Sequence, residues 1–483
     1  MTNEPTSPRT AQADVPFQAT NENAGLTPAG RGGPANISDQ IPVRHSGMAS
    51  RVPDAICLGV CQSAGHDHHV CIPADIRESS THIVASAGTG KTTLMTNMFL
   101  QDIEQHRPAV FMDSQGDGIR NLLPCIRRDL WPRVIYFNPG DPAWIPMWNP
   151  MSLPPGTDPY LLADALASTF ARVSHDFGDR VEHILRYACI GLLHIPRPCV
   201  MDIYNLLRIR TTESEQLRER ILAVVQDAPV RSFFHGDYIG NYSKSDLHAP
   251  LRPVSKLVTA GSVSLMLCQP ESLIDVGQII DDCMILLVDL SDTGCDVRSI
   301  LGSLLLTRLL MTARDRSRTP REHAMPRLSL FIDGARLYLS PDVIENIIVQ
   351  GRRSGINLCL AHQYLKQFQT ERTDVLSTVG CTIIGRLDKD DSHYFANSLQ
   401  GLVEPEEIMA LGCFEMIARI GTGIVRFRTL PPPSPPDGSN GEEIVEESRR
   451  RYCRPAVEVR QMIARRSNEA SETPNGRLPL HLC

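Results

Sequence analysis

The sequence predicts an α/β fold in which a mainly parallel central sheet is covered by helices and interrupted by an inserted all-α domain. Three observations carry that prediction. Short apolar strands alternate with helical stretches from about residue 55 onward, the pattern of strands joined by helical crossovers. Residues 158–274 break the alternation with apolar residues at three- and four-residue spacing. One strand, His82–Ala85, runs into a loop of small residues that ends in Lys91-Thr92 and opens a helix.

Along the chain, residues 1–48 are rich in Pro, Gly, Ser, Thr and Asn with no apolar period, so they are expected to form a disordered tail. The first part of the core spans 49–157. It holds a hairpin, Ala55–Cys61 and His69–Ile72 joined by the polar turn Gln62–Asp67, then strands His82–Ala85, Val110–Met112 and Val134–Phe137. The insertion, 158–274, has helical periodicity over Tyr160–Arg172, Arg180–Leu193, Glu215–Val225 and Leu251–Leu267. The second part of the core, 275–430, supplies strands Met284–Leu290, Leu328–Ile332, Ile356–Ala361, Thr382–Gly385 and Glu415–Ile420. In 431–483 the run Pro431–Pro436 predicts a stiff extended linker, followed by a charged segment, Glu442–Arg466, with the pattern of a short surface helix, and a tail.

Composition bounds the function. The 483 residues, 42% hydrophobic and 21% charged, exclude a wholly disordered or fibrous chain. A net charge of −7 gives no overall basic field, so any hold on nucleic acid needs a local basic surface. No window reaches the roughly 18 consecutive apolar residues of a membrane span, and no secretory signal is visible, so a cytoplasmic location is expected. The 14 cysteines are scattered singly and do not form a disulfide framework. Cys57, Cys61, His66, His68, His69 and Cys71 are of zinc-ligand type and lie within fifteen residues. The preferred reading is a plain hairpin in which they fall together by chance.

The strongest chemical signal is Thr81–Leu94, T-H-I-V-A-S-A-G-T-G-K-T-T-L. Small residues let the backbone N–H groups of Ala87, Gly88, Thr89, Gly90, Lys91, Thr92 and Thr93 curl around phosphate oxygens, and the helix start adds its positive dipole end. Lys91 is placed to reach the β- and γ-phosphates of ATP, and the Thr92 hydroxyl to coordinate Mg2+. Only five residues are lysine (Lys91, Lys244, Lys256, Lys366, Lys389), against 43 arginines, so the compact ammonium at 91 is a specific choice. Ala85 stands where such loops usually begin with glycine. Asp333, closing the apolar run Leu328–Ile332, is the expected second metal carboxylate, acting through water. The next residue, Gly334, cannot take a proton where motor ATPases place a glutamate, and loss of a positioned base costs about 10²–10⁴-fold in rate. Asp113, Asp117 and Asp292 are the acidic residues near strand ends that would stand in. Gln363, after strand Ile356–Ala361, suits a γ-phosphate sensor, and Arg352 and Arg353 present guanidinium groups to phosphate or to a neighbouring subunit's nucleotide.

With those motifs in place the chain resembles the conjugative coupling-protein family of P-loop ATPases (TraG/TraD type), related to the HerA and FtsK translocases. Besides the P-loop, the likeness rests on Asp113-Ser114-Gln115-Gly116-Asp117, on Val134–Pro142 with Trp148-Asn149-Pro150, and on Phe177–Arg180 with Glu182–Arg186. It continues through Leu286–Ser291, Gly302–Leu305, Gly351–Gln363 and Ser448–Pro455. The resemblance implies a RecA-like ATPase core that assembles as a homo-hexamer and moves DNA, with a relaxase or secretion-channel proteins as partners in conjugation or type IV secretion. Many members carry amino-terminal membrane helices; none is visible here, which favours a soluble form or one recruited to the inner membrane by its partners. The departures are Ala85, Ser114-Gln115, Cys268 beside Gln269, and Gly334.

Two readings follow. One is an ATP-driven DNA translocase; the other is a nucleotide-gated scaffold that binds ATP and a partner without efficient hydrolysis. A weaker third is an ATPase that remodels protein. Arg208, Arg210, Arg252 and Lys256 are candidates for a DNA-facing surface.

Overall fold

The computed structural model describes residues 55–472, except 64, 155, 174–177, 243, 319–325, 336–340, 366–375, 377 and 438. The expected tail 1–48, residues 473–483 and Phe177 of the resemblance lie outside the described residues. Among the described residues thirteen strands occur in chain order: β1 (Ile56–Ser63), β2 (His66–Ile72), β3 (Thr81–Val84), β4 (Ala109–Asp113), β5 (Val134–Phe137), β6 (Trp144–Pro146), β7 (Ile285–Asp289), β8 (Leu328–Asp333), β9 (Ile356–His362), β10 (Cys381–Ile384), β11 (Glu415–Ile420), β12 (Gly423–Thr429) and β13 (Cys453–Pro455).

Eleven of them form one sheet in the order β2-β1-β12-β11-β10-β3-β9-β8-β4-β7-β5. The run from β10 to β5 is parallel throughout. Strands β3, β4, β7 and β9 are buried along their whole length, which explains why they read as near-continuous apolar runs: a parallel sheet is covered on both faces. Successive residues feed opposite layers. Val84, Met112 and Val288 pack under the helical tract, whereas Ile83, Phe111 and Leu287 pack with Leu94, Met95, Met98 and Phe99 of the Lys91–Glu104 helix. In that second layer Phe99 meets Phe111 and Phe331 edge-on, with ring centroids 5.3 and 5.4 Å apart.

The other end of the sheet is antiparallel: β11, β12, β1 and β2 continue outward from β10. Strand β12 was not anticipated. Its sequence alternates buried Ile424, Phe427 and Thr429 with outward Arg426 and Arg428, and two arginines dilute the apolar signal. The hairpin β1–β2 forms, but its strands reach Ser63 and His66, so the expected turn Gln62–Asp67 is mostly paired strand.

Between β6 and β7 the described residues hold no strand. Helices Pro159–Val173, Asp179–Leu193, Val200–Leu207, Thr212–Val224, Ala228–Ser232, Lys244–Val258 and Ser262–Leu267 fill the tract, with a π-helical stretch at Phe233–Asn241. Their apolar faces form one continuous cluster with the sheet. The carboxyl-terminal region differs from the expected surface helix and tail. Helices Gly441–Tyr452 and Ala456–Glu472 dock on the body: Tyr136 N–H donates to Ser448 Oγ (2.8 Å), Arg449 pairs with Asp141 (2.5 Å), Arg466 with Asp202 (2.7 Å), and β13 pairs with β6. Buried Ile444 and Val459, spaced among charges, anchor the two helices.

Candidate nucleotide site

The site is built at the carboxyl ends of β3, β9, β8 and β4. The loop after β3 is held from both sides, since Ala85 N–H donates to the His362 carbonyl (3.2 Å) and Ser86 N–H to the Arg386 carbonyl (2.9 Å). Thr89 Oγ1 closes the loop on the Ser86 carbonyl (2.7 Å). Gly88 and Gly90 take left-handed φ of 74° and 102°, which L side chains rarely adopt. A Cβ on Gly90 would also lie 2.6 Å from the Phe414 ring. Ala85, by contrast, has no positive φ, so the usual glycine is not needed for conformation there. Its methyl packs at Gly385, where any Cβ would come within 2.7 Å of it.

Lys91 and Thr92, the first residues of the helix, both meet Asp333. Lys91 Nζ lies 2.9 Å from Oδ1, and Thr92 Oγ1 donates to Oδ2 at 3.0 Å. The cation of the loop, the hydroxyl and the strand-end carboxylate therefore converge, as the sequence predicts. Thr92 hydroxyl and Asp333 carboxylate are hard oxygen donors of the kind Mg2+ takes. Among the described residues no group of three or more His, Cys, Asp or Glu side chains could hold a metal unaided, so a cation here would draw its other ligands from phosphate and water. The residues of the Cys57–Cys71 cluster lie on the paired strands β1 and β2.

Three carboxylates stand in a row on adjacent strands, because Asp113 is in register with both Asp333 and Asp289. Burial, with Asp333 beside it, pushes the Asp113 carboxyl up from the usual range, against the backbone N–H groups that hold it. Those donors are Gln115 (2.8 Å), Gly118 (2.8 Å) and Ile119 (3.3 Å), so Asp113 orders the start of the next helix. Asp117 is exposed and paired with Arg120, and Asp292 accepts from Asn138 near β5. Of the three stand-in carboxylates, Asp113 alone borders Asp333.

Gln363 follows His362, which is paired with Val84, and so lies level with the root of the loop. His362 and His82 stack beneath it, ring centroids 4.5 Å apart, and burial keeps both neutral, with His82 pushed down to about 3. Arg353 is elsewhere. It precedes β9, at the opposite end of a strand spanning about 20 Å, and is not brought to the loop of its own chain. Sequence reasoning missed the loop before β11: Phe414 N–H donates to the Thr89 carbonyl (2.9 Å), and Cys413 Sγ lies 3.4 Å from the Gly88 carbonyl. Phe414 itself has φ of 64°, a local irregularity that no residue pattern announces. Also missed was Arg386, an exposed residue whose carbonyl braces the loop. Of the candidate DNA residues, Lys256 is ion-paired with Asp296 (2.5 Å) and Arg208 covers the Tyr204 ring.

No protein-family model and no curated protein matches the sequence. Solved structures do match. The unbound bacterial conjugative coupling protein TrwBdeltaN70 aligns with a TM-score of 0.56 at 16% identity, over 76% of this chain and 87% of its own. Plasmid coupling protein TrwB in complex with ADP and Mg2+ gives 0.57 at 16% identity, over 77% and 91%. VirB4 of Thermoanaerobacter pseudethanolicus gives 0.53 at 15% identity, over 78% and 96%. The chain has the TrwB and VirB4 fold. The expected RecA-like P-loop core with a mainly parallel sheet and inserted helices is thereby borne out.

Within this TrwB-type fold the turn after β8 is left-handed at the glycine that follows Asp333. Gly334 takes a φ of 69°, and its N–H donates to the Ala361 carbonyl (3.2 Å). A glutamate there would need a left-handed backbone, which costs about 1–2 kcal/mol for an L-residue. Among the described residues no helix is long and apolar enough to cross a membrane.

Proposed function

We propose that this chain is an ATP- and Mg2+-binding P-loop protein of the coupling-protein type that acts on DNA in conjugation or type IV secretion. The observation that carries the reading is the convergence of Lys91 and Thr92 on Asp333 at the end of the small-residue loop after β3. Without nucleotide, Asp333 holds the Lys91 ammonium in place. A triphosphate in the loop would draw Lys91 to itself, and the Asp333 carboxylate and Thr92 hydroxyl would then be the groups to hold Mg2+. Bound Mg2+ would neutralise charge on the phosphates. In this reading Ala87 to Thr93 supply the amides, and Gln363, which follows the β9 residue paired with Val84, would bond the terminal phosphate. Arg353 would act only on the nucleotide of another copy, in keeping with a homo-hexameric ring. The likeness to the conjugative coupling protein TrwB supports the coupling-protein reading; DNA and a relaxase as partners, and recruitment from the cytoplasm to a secretion channel, are part of the proposal.

The test is calorimetric binding of ATP with Mg2+, alongside hydrolysis with and without single- and double-stranded DNA. Lys91→Ala is expected to weaken ATP binding about 100-fold or more, because it removes a charge-assisted contact to phosphate. Unchanged affinity in that variant would overturn the reading. A nucleotide-gated scaffold is favoured by one observation, the left-handed Gly334 in place of a base. Tight ATP binding with no DNA-stimulated phosphate release would select it.

A further inference from the structure

The hairpin β1–β2 displays a chemistry that nucleotide binding does not use. Ile56 and Leu58 on β1, and Val70 and Ile72 on β2, point into the apolar layer. Cys57, His69 and Cys71 therefore share the outer face. Cys57 and Cys71 are direct cross-strand partners, and the strand bulges between Cys57 and Gly59. Directly opposed residues have Cα atoms about 4.5–5.5 Å apart, within the span a disulfide bridges. Cys57 Sγ also lies 3.6 Å from His69 Nδ1. Both thiols are half-buried and His69 is exposed, so small solutes reach them. The main chain of Cys57 is fixed, since Gln101 of the Lys91–Glu104 helix donates to its carbonyl (2.8 Å) and accepts from its N–H (2.8 Å).

The two thiols are not equivalent. The hydrogen bond from Cys71, with His69 adding to it, holds the Cys57 thiol down at about 6 against the opposing effect of burial. Cys61, also in the hairpin, is buried on the inner face, and its thiol is pushed up by that burial. A thiolate attacks a disulfide, and a second thiol within reach resolves the mixed product.

We propose that Cys57 and Cys71 form a reversible dithiol–disulfide site for small-molecule disulfides of the glutathione class, with Cys57 the attacking sulfur and Cys71 the resolving one. The Cys57 thiolate bonds to one sulfur of the small disulfide, whose S–S bond breaks and releases one thiolate. Cys71, after giving its proton to solvent, attacks Cys57 Sγ, and the mixed disulfide releases the second thiolate. In sum two protein thiols are oxidised to one disulfide, one small disulfide is reduced to two thiols, and the protons balance.

The test uses the reduced full chain and oxidised glutathione at neutral pH, followed by intact-mass and peptide analysis. The expected result is a Cys57–Cys71 crosslink with no retained glutathione on either residue, reversed by excess dithiol. Cys71→Ser should accumulate one glutathionyl group on Cys57. In Cys57→Ser, Cys71 should react about tenfold more slowly than Cys57 does in Cys71→Ser. Unchanged thermal unfolding of the two variants shows that they fold. Reaction confined to the exposed Cys295 and Cys413, or equal rates at Cys57 and Cys71 in the two variants, would overturn the proposal.

Discussion

Gly334 is the residue on which the choice between the two proposed functions turns. Its left-handed φ means that both Gly334→Ala and Gly334→Glu should lower stability by about 1–2 kcal/mol, by the same amount within error in a thermal melt. A Gly334→Glu chain as stable as the parent would show that the backbone relaxes there. The buried His82–His362 pair sets a pH dependence. Both imidazoles are kept neutral in the folded state, their values depressed by burial, while the unfolded chain takes up protons near the ordinary 6.5. Stability is thus complete above that range and is lost as pH falls from about 6.5 toward 3, at up to about 1.4 kcal/mol per pH unit for each histidine. His82→Gln should remove about half of that slope in denaturant unfolding between pH 6 and pH 5. At this scale Lys91, Thr92 and Asp333 were legible because one chemistry demands those residue types in that order. The Phe414 loop and Arg386 were not, because they serve the site through backbone groups that any residue possesses.

At the scale of elements, the buried parallel strands were readable as apolar runs, and the helical tract as three- and four-residue spacing. Strand β12 escaped because its outward face is arginine. The docking of the carboxyl-terminal helices escaped for a different reason: their charged surfaces conceal single anchors such as Ile444, and the decisive contact is one hydroxyl. Ser448, itself buried, accepts the Tyr136 N–H at the outer edge of β5. Ser448→Ala should leave that strand-edge amide without its partner, costing about 1–3 kcal/mol. Amide exchange should then accelerate at Tyr136 and in the Gly441–Tyr452 helix, and not in β3. Uniform acceleration would mean that the helix is integral to the whole fold rather than docked on its edge.

For the molecule as a whole, the distance between Arg353 and the P-loop of its own chain makes a complementation experiment decisive. Arg353→Ala should bind ATP like the parent, yet lose DNA-stimulated hydrolysis by about 10²-fold or more if the guanidinium serves a neighbour's nucleotide. Mixing it with Lys91→Ala, which keeps Arg353 but cannot hold ATP, should restore part of the activity. No recovery in mixtures would return Arg353 to a surface role. A ring assembly is expected from the resemblance alone, since a ring interface leaves no period in a sequence.

One strand deserves a mechanical reading. The carbonyls of Ala361 and His362, consecutive at the end of β9, receive the amides of Gly334 and Ala85. The turn beyond Asp333 and the mouth of the phosphate cradle thus hang from a single peg. A pull of even an ångström along that strand would tug both jaws together, and its far tip is where Arg352 and Arg353 face outward.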